Sequence, residues 1–266
     1  VHKDLAELTS QTRVKPAGQD LEGEMGGTCG GDPADPKKPQ IRGKLAEHLA
    51  YILMKCLYGA RMARFDLLRT STSLACQLTR WTPDCDRKLH HLICYIHTSK
   101  HLRMIGYVGN SLEVVQPHLF ADADFAGCTA TQRSTSGLHL CIRGSNTCFP
   151  IVGRSKHQDC VSHSTPEAEI VAADFGLRLS GLPALDLWHV LLPHKPPLYF
   201  HEDNQAMIHV INTGRNPTMR YLLRTHRVSV SWLHERFKGA DIVLMYEDSA
   251  KMAADIYTKG FTDKAK

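Results

Sequence analysis

The chain has 266 residues, of which 42% are hydrophobic, and Lys plus Arg outnumber Asp plus Glu by 32 to 27. This composition provides enough apolar surface for a real core, which excludes a disordered tail and a collagen-like repeat. No run of 18 or more apolar residues occurs, so nothing in the sequence is expected to span a membrane. The positive charge is concentrated in residues 41–118, with 11 basic and 5 acidic side chains. Such a segment fits a polyanionic partner and ordinary solvated helix faces about equally well.

Residues 1–40 are rich in glycine and proline and are predicted to form a flexible linker. No signal peptide is visible. The first residue is Val1 rather than Met, so we expect a fragment or a processed product of a longer chain. The nine cysteines are odd in number and include no C-x-x-C pair. They fit an intracellular, reducing compartment better than a disulfide framework.

Residues 41–117 are predicted to form a small all-α segment. Apolar residues recur at helical spacing from Lys44 onward, which indicates an amphipathic helix. A second helix is predicted from about Asp66 to Gln77. A third begins at Pro83 and ends near Lys100.

The periodicity changes after Gly109. Residues 118–125 alternate between apolar and polar side chains, which places Asp122 and Asp124 on the same face of a strand. A helix is predicted to begin at Ser164-Thr165-Pro166, with Thr165 as its cap. The order of elements predicts one α/β domain with a mixed sheet. Its other predicted strands are Leu138–Ile142, Thr147–Val152, Leu198–Glu202 and Asp241–Tyr246, and its other predicted helices are Asp203–Asn212, Thr218–Lys238 and Ser249–Thr258.

Acidic residues recur at the ends of these elements. Each has an ordinary interpretation as a helix cap, a first-turn acid or a solvated position. Together they indicate something more specific, because converging carboxylates repel one another unless divalent cations lie between them. Oxygen ligands of this kind suit Mg²⁺ or Mn²⁺. The residues are the pair Asp122 and Asp124, the pair Glu167 and Glu169, Asp203, and Asp255.

Spacing alone leaves the choice within each pair open. Asp122 and Asp124 share a strand face, so either could bind a metal ion. Glu167 and Glu169 point about 200° apart on a helix, so only one of them can face a given site.

Six sequence blocks occur in order between residues 118 and 260. They are Phe120-Ala-Asp-Ala-Asp-Phe-Ala-Gly-Cys-Thr, Arg133-Ser-Thr-Ser-Gly, Ser155-Lys-His-Gln, Ser164-Thr-Pro-Glu-Ala-Glu, Glu202-Asp-Asn-Gln-Ala-Met-Ile and Ala254-Asp-Ile-Tyr-Thr-Lys. In this order and approximate spacing they resemble the ribonuclease H domain of copia-type LTR retrotransposon polyproteins. Residues 41–117 resemble the helical region that joins the reverse transcriptase to that domain.

The resemblance implies a ribonuclease H-like fold, with a mixed five-stranded sheet flanked by helices and preceded by the small all-α segment. It also implies cleavage of the RNA strand of an RNA–DNA hybrid with two metal ions, Mg²⁺ or Mn²⁺, and no small-molecule cofactor. The expected partners are the hybrid and an upstream reverse transcriptase domain. Residues 118–260 would form the ribonuclease H-like domain, and residues 261–266 a tail.

The same resemblance assigns the catalytic and metal-binding residues. The family's first metal carboxylate precedes a small residue, which favours Asp122, and its Ala-Glu-hydrophobic-x-Ala element favours Glu169. Asp203 matches the Asp-Asn-Gln position and Asp255 the Ala-Asp-Ile position. Asp122 and Asp203 are expected to hold the ion that generates the attacking hydroxide. Glu169 and Asp255 are expected to complete the shell of the ion near the leaving 3′-oxygen.

Arg220, Arg224 and Arg227 recur at helical spacing on the predicted long helix. They would form one basic stripe for the phosphates of the hybrid, although a solvated face explains them equally well. Two other functions stay open. One is a degenerate or repurposed domain that binds nucleic acid without cutting it. The other, an integrase-like strand transferase, fits the order of the blocks less well.

Overall fold

The computed structural model describes residues 42–192 and 194–260 of the chain. The predicted linker at 1–40 and the predicted tail at 261–266 lie outside the described residues. Within the described ranges, no helix combines the length and apolar character needed to cross a membrane.

Three helices precede the sheet, as the apolar periodicity predicts. The first two are joined by a 3-10 turn at Phe65–Leu67. The third begins where the Thr82 side chain accepts a hydrogen bond from the Cys85 backbone N–H, with Pro83 at its first position. Proline fits there because the N–H that it lacks would have no partner within the helix. The helices are α1 (Leu49–Ala63), α2 (Leu68–Ala75) and α3 (Pro83–Thr98).

The strands form a single mixed sheet. They are β1 (Tyr107–Val108), β2 (Gln116–Asp124), β3 (Thr135–Gly144), β4 (Thr147–His157), β5 (Leu198–Glu202) and β6 (Ile242–Tyr246). Their order in the sheet is β1-β4-β3-β2-β5-β6. The first four are joined by antiparallel pairings, whereas β5 runs parallel to both β2 and β6.

The predicted number of five strands is wrong by one. The additional strand is β1, which adds to the edge of β4 through the pairs Tyr107 with Cys148 and Val108 with Thr147. Two residues are too few to produce a visible alternation in the sequence.

Helices flank both faces of the sheet, and the fold is of the mixed α/β class that the order of elements predicts. The helix α4 runs through a π-helical turn at Leu177–Gly181 directly into α5, which the apolar pattern did not predict. The helices of this half are α4 (Thr165–Gly176), α5 (Leu182–Leu191), α6 (Gln205–Thr213), α7 (Leu222–Thr225) and α8 (Val230–Lys238).

Three helix predictions need correction. The predicted helix Thr218–Lys238 is broken into a 3-10 turn at Pro217–Met219, the single turn of α7, and α8. The break lies at Arg227, whose φ of 59° is incompatible with a right-handed helix. The predicted helix Ser249–Thr258 consists of two 3-10 turns, Ser249–Lys251 and Ala253–Tyr257. The cap of α4 is Ser164 rather than Thr165.

The sheet has an apolar core on each face. On one face Leu119, Leu138 and Phe200 pack against helices that include α4 and α6. On the other face, Phe120 and the fully buried Tyr257 pack against α1, α2 and α3. Burying a side chain of this size contributes about 1.5–3 kcal/mol. The second core therefore fixes the 3-10 turn Ala253–Tyr257, and with it Asp255, against the sheet.

Candidate metal centre

Asp122 and Asp203 are brought together by the pairing of two parallel strands. The register aligns Phe120 of β2 with His201 of β5. Two residues further along, Asp122 lies beside Asp203, which follows the last residue of β5. Asp122 is only 2% exposed, and Asp203 is partly exposed. The two carboxylates therefore lie at the same end of the central strands, one buried and one toward solvent.

Glu169 reaches this end of the sheet from the first turns of α4. The helix is started by Ser164, whose hydroxyl accepts the Glu167 backbone N–H, and it packs closely on β2 through small side chains. Those side chains form a buried cluster of alanines: Ala123, Ala168 and Ala172. Because no large side chain separates the helix from the strand, the Glu169 carboxylate accepts a hydrogen bond from the Ala123 backbone N–H.

Three of the four predicted carboxylates converge. Asp122, Glu169 and Asp203 each offer an oxygen, and these oxygens lie within 4.8 Å of one another. Asp255 stands beside this group. Its Oδ1 lies 2.6 Å from Lys259 Nζ, which in turn lies 3.8 Å from Asp122 Oδ1. The fourth carboxylate is thus linked to the other three through a lysine.

The second aspartate of β2, Asp124, has protein partners of its own. It lies 3.3 Å from Arg69 Nη2 and accepts a hydrogen bond from the Thr135 backbone N–H. The same guanidinium donates to the Thr258 carbonyl at 2.9 Å. Asp124 therefore joins α2 to the sheet and to the segment that carries Asp255.

The second glutamate of α4, Glu167, is fully buried and well satisfied. It accepts hydrogen bonds from the His163 backbone N–H at 3.0 Å and from the Tyr221 hydroxyl at 2.7 Å, and His226 Nε2 lies 3.0 Å away. Glu167 therefore ties the start of α4 to the segment around α7, while Glu169 points into the acidic group. The packing thus determines which of the two glutamates faces the acidic group, a choice that the helical spacing left open.

Burial and the neighbouring carboxylates raise the pKa values of Asp122 and Glu169. Burial raises the pKa of Asp122 to about 6; Asp255 and Asp203 add to this, while Thr258 and Lys259 oppose it. Burial, followed by the charges of Glu202 and Asp122, raises the pKa of Glu169 well above its usual range. No group among the described residues hydrogen bonds to the buried Glu169 Oε2. Hard oxygen donors, one of them buried and unpartnered, fit a divalent cation such as Mg²⁺ or Mn²⁺.

The sequence did not identify Glu202 as part of this region. It is the last residue of β5 and completely buried, and its Oε1 accepts the Asn204 backbone N–H at 3.1 Å. Within the described part of the chain nothing hydrogen bonds to its Oε2, and burial raises its pKa. The sequence does contain a signal for its burial, because alternation along β5 places Glu202 on the same face as the buried residues Leu198 and Phe200.

The predicted basic stripe does not exist as a continuous helical face. Arg220 follows the 3-10 turn, Arg224 lies in α7, and Arg227 occupies the break between α7 and α8. All three side chains are exposed. They therefore present separate positive charges rather than one aligned row.

No protein-family model matches the chain. Solved structures that part of the chain is similar to include LC11-RNase H1 isolated from compost by a metagenomic approach, at 12% identity and a TM-score of 0.31, over 54% of this chain and 92% of that chain. They also include a foamy viral protease-reverse transcriptase in complex with dsDNA, at 12% identity and a TM-score of 0.30, over 56% of this chain and 93% of that chain. Similarities of this size carry no argument about function, which rests on the site itself.

Proposed function

We propose that the protein is a metal-dependent endoribonuclease that cuts the RNA strand of RNA–DNA hybrids. The observation that supports this most is the convergence of Asp122, Glu169 and Asp203, with oxygens within 4.8 Å of one another. Burying several carboxylates beside one another is costly, and the ammonium of Lys259 offsets only part of their charge, so a divalent cation is the best explanation for the group. On a ribonuclease H-like fold, the chemistry that such a site supports is phosphodiester hydrolysis.

In this proposal Asp122, Glu169 and Asp203 hold Mg²⁺ or Mn²⁺, and Asp255 completes the set for two ions. When bound, the ions supply an activated water and stabilise the leaving oxygen. The surrounding hydroxyl groups orient the carboxylates. The Thr258 hydroxyl donates to Asp122 Oδ2, and the Ser249 hydroxyl donates to Asp203 Oδ2 at 2.7 Å. Hydroxyl donors favour the ionised form of a carboxylate without adding a positive charge that would repel a metal ion.

The nucleic acid would be held by exposed basic side chains. We propose that Arg220, Arg224 and Arg227 contact phosphates individually, since the chain presents them on separate segments. Each phosphate contact would release counterions, so binding of the hybrid should weaken as the salt concentration rises.

We further propose that the chain is part of a copia-type retrotransposon polyprotein that acts inside the cell with an upstream polymerase. Residues 41–117 would be the helical connection of the reverse transcriptase, and residues 118–260 the ribonuclease H domain. The six sequence blocks in family order support this context.

The proposed activity is tested with a hybrid whose RNA strand is labelled, in Mg²⁺ and in Mn²⁺. Wild type is compared with Asp203→Asn and with Asp186→Asn, a matched loss of charge at an exposed position on α5. We expect cleavage by wild type and by the control. Asp203→Asn should be slower by about 100-fold or more, since even partners of metal ligands cost up to that much.

The outcomes separate the alternatives. If folded wild type binds the hybrid but does not cut it in either metal, the enzyme proposal is wrong and the non-cutting domain is supported. If Asp203→Asn cuts as well as the control, the assignment of the site is wrong. Cleavage of both strands, or of DNA duplexes, would contradict the proposed substrate.

A further inference from the structure

A lysine already occupies the solvent side of the acidic group. Lys259 Nζ lies 2.6 Å from Asp255 Oδ1 and 3.8 Å from Asp122 Oδ1, and its side chain is 46% exposed. One ammonium group therefore interacts with two of the carboxylates that the proposed function assigns to metal ions.

The backbone around Lys259 is fixed, while its side chain is not enclosed. The backbone N–H groups of Thr258 and Lys259 both donate to the Asp255 carbonyl. Thr258 is itself buried, and its carbonyl accepts a hydrogen bond from Arg69. These hydrogen bonds therefore hold the backbone of the segment in place, with the Lys259 ammonium beside the acidic group. The half-exposed stem gives the side chain room to move toward solvent.

The lysine does not neutralise the whole group. The inner oxygen Glu169 Oε2 has no hydrogen-bond donor in the described ranges. The single positive charge thus lies on the outer side, between Asp255 and Asp122, and leaves the inner carboxylates for another cation. A divalent ion that used Asp122 Oδ1 or Asp255 Oδ1 as a ligand would lie within a few ångströms of the ammonium and be repelled by it.

We propose that Lys259 is a positioning residue that serves as the resident counter-cation of Asp255 and Asp122 and must move away when a divalent cation binds these carboxylates. It keeps Asp255 beside Asp122 when no metal is bound, and it lowers the affinity for the metal ion by competing for the same oxygens. This inference rests on the proposed function in that the carboxylates bind divalent cations.

The test measures metal affinity directly, by calorimetric titration of the full chain with Mn²⁺. The variants are Lys259→Met, Lys259→Gln and the charge-conserving Lys259→Arg. The control is Lys156→Met, because Lys156 is similarly exposed at 48% and pairs with Asp159 instead. Thermal unfolding in EDTA shows whether each variant is folded. If one neutral variant does not fold, the other still provides the test.

We expect Lys259→Met and Lys259→Gln to bind Mn²⁺ about tenfold more tightly than wild type, since one ammonium about 4 Å from a divalent ion repels it on this scale even in water. The difference should shrink at high salt. Lys259→Arg and the control should resemble wild type. A merely structural lysine would instead change the unfolding temperature in EDTA without tightening metal binding.

Two negative results have different meanings. If wild type binds Mn²⁺ but the folded neutral variants bind it with equal or lower affinity, the inference about Lys259 is wrong and the proposed function is untouched. If wild type binds no Mn²⁺ at all, the metal site itself is refuted, and the inference falls with it.

Discussion

Two buried glutamates two positions apart on α4 should respond in opposite ways to the same substitution. Glu167 accepts hydrogen bonds from the His163 backbone N–H and the Tyr221 hydroxyl and lies 3.0 Å from His226 Nε2. Glu167→Gln keeps the shape but turns an amide donor toward groups that donate. Because hydrogen bonds to charged groups contribute about 1.5–3 kcal/mol each, we expect a loss of about 3 kcal/mol. For a chain of this size, that lowers Tm by about 6–12 °C.

Glu169→Gln should instead stabilise the protein in the absence of metal. Burial, together with the charges of Glu202 and Asp122, raises the pKa of Glu169 in the folded state. A carboxyl group whose pKa is raised by folding does not oppose the fold below its unfolded pKa, and its contribution to stability is lost as the pH rises from that value through the raised pKa of the folded state. At pH 7 the neutral glutamine should therefore add about 1–3 kcal/mol, the usual cost of a buried polar group without a partner.

The assay is denaturant unfolding of wild type and both variants, in EDTA and in excess Mn²⁺. A ligand at 100 times its Kd adds about 2.7 kcal/mol to the free energy of unfolding. Wild type and Glu167→Gln should gain this increment, and Glu169→Gln should lose most of it. Glu169 is not a buried, metal-binding carboxylate if Glu169→Gln is destabilised in EDTA, or if Mn²⁺ still stabilises this variant as much as wild type.

Three further substitutions test the packing around the site. A Cβ at Gly137 would lie 2.7 Å from the side chain of Thr258. Gly137→Ala should therefore cost about 1–3 kcal/mol and weaken Mn²⁺ binding in calorimetry, and unchanged affinity would contradict this. Burial, followed by the charge of Arg143, lowers the pKa of His201 to about 4 and outweighs the Glu247 carboxylate, whose Oε2 lies 2.9 Å from His201 Nδ1. As the pH drops below 6.5, the unfolded chain takes up a proton on this histidine before the folded chain does, so the free energy of unfolding falls. Between pH 7.5 and pH 5, the free energy of unfolding of His201→Phe should therefore fall by about 1 kcal/mol less than that of wild type in urea titrations. Equal losses would argue against a buried neutral imidazole. Arg69→Ala leaves Asp124 without its ion pair and should destabilise the protein by about 1–3 kcal/mol in the same titrations; a neutral effect would show that this contact contributes nothing.

Most elements could be predicted because their signals come from neighbouring residues. The alternation of β2 and the proline at the start of α3 depend on a few consecutive side chains. The end of α6 at Gly214, where φ is 68°, depends on a single residue. These features require no knowledge of the rest of the fold.

The broken helix shows where such signals fail. Apolar residues continue at helical spacing through the break at Arg227, so periodicity predicts one helix from Thr218 to Lys238. The structure instead starts a new helix at Ser229, whose side chain accepts the Trp232 backbone N–H. A serine within an apolar pattern is ambiguous, because it fits a helix interior and a cap.

The site depends on contacts between distant residues, which spacing does not reveal. Glu167 is distinguished from Glu169 by its contacts with Tyr221 and His226, which lie 54 and 59 residues further along the chain. The family resemblance favours Glu169, and the packing places that side chain among the carboxylates. The contact of Lys259 with Asp122 likewise joins residues that are far apart in the sequence, and no spacing rule predicts it.

The most direct measurement of the central claim is anomalous diffraction from crystals of the protein grown with Mn²⁺. We expect manganese between the carboxylates of Asp122, Glu169 and Asp203, and no manganese there in Glu169→Gln crystals. Manganese confined to exposed surface carboxylates, with this group unoccupied in wild type, would refute the proposed metal site.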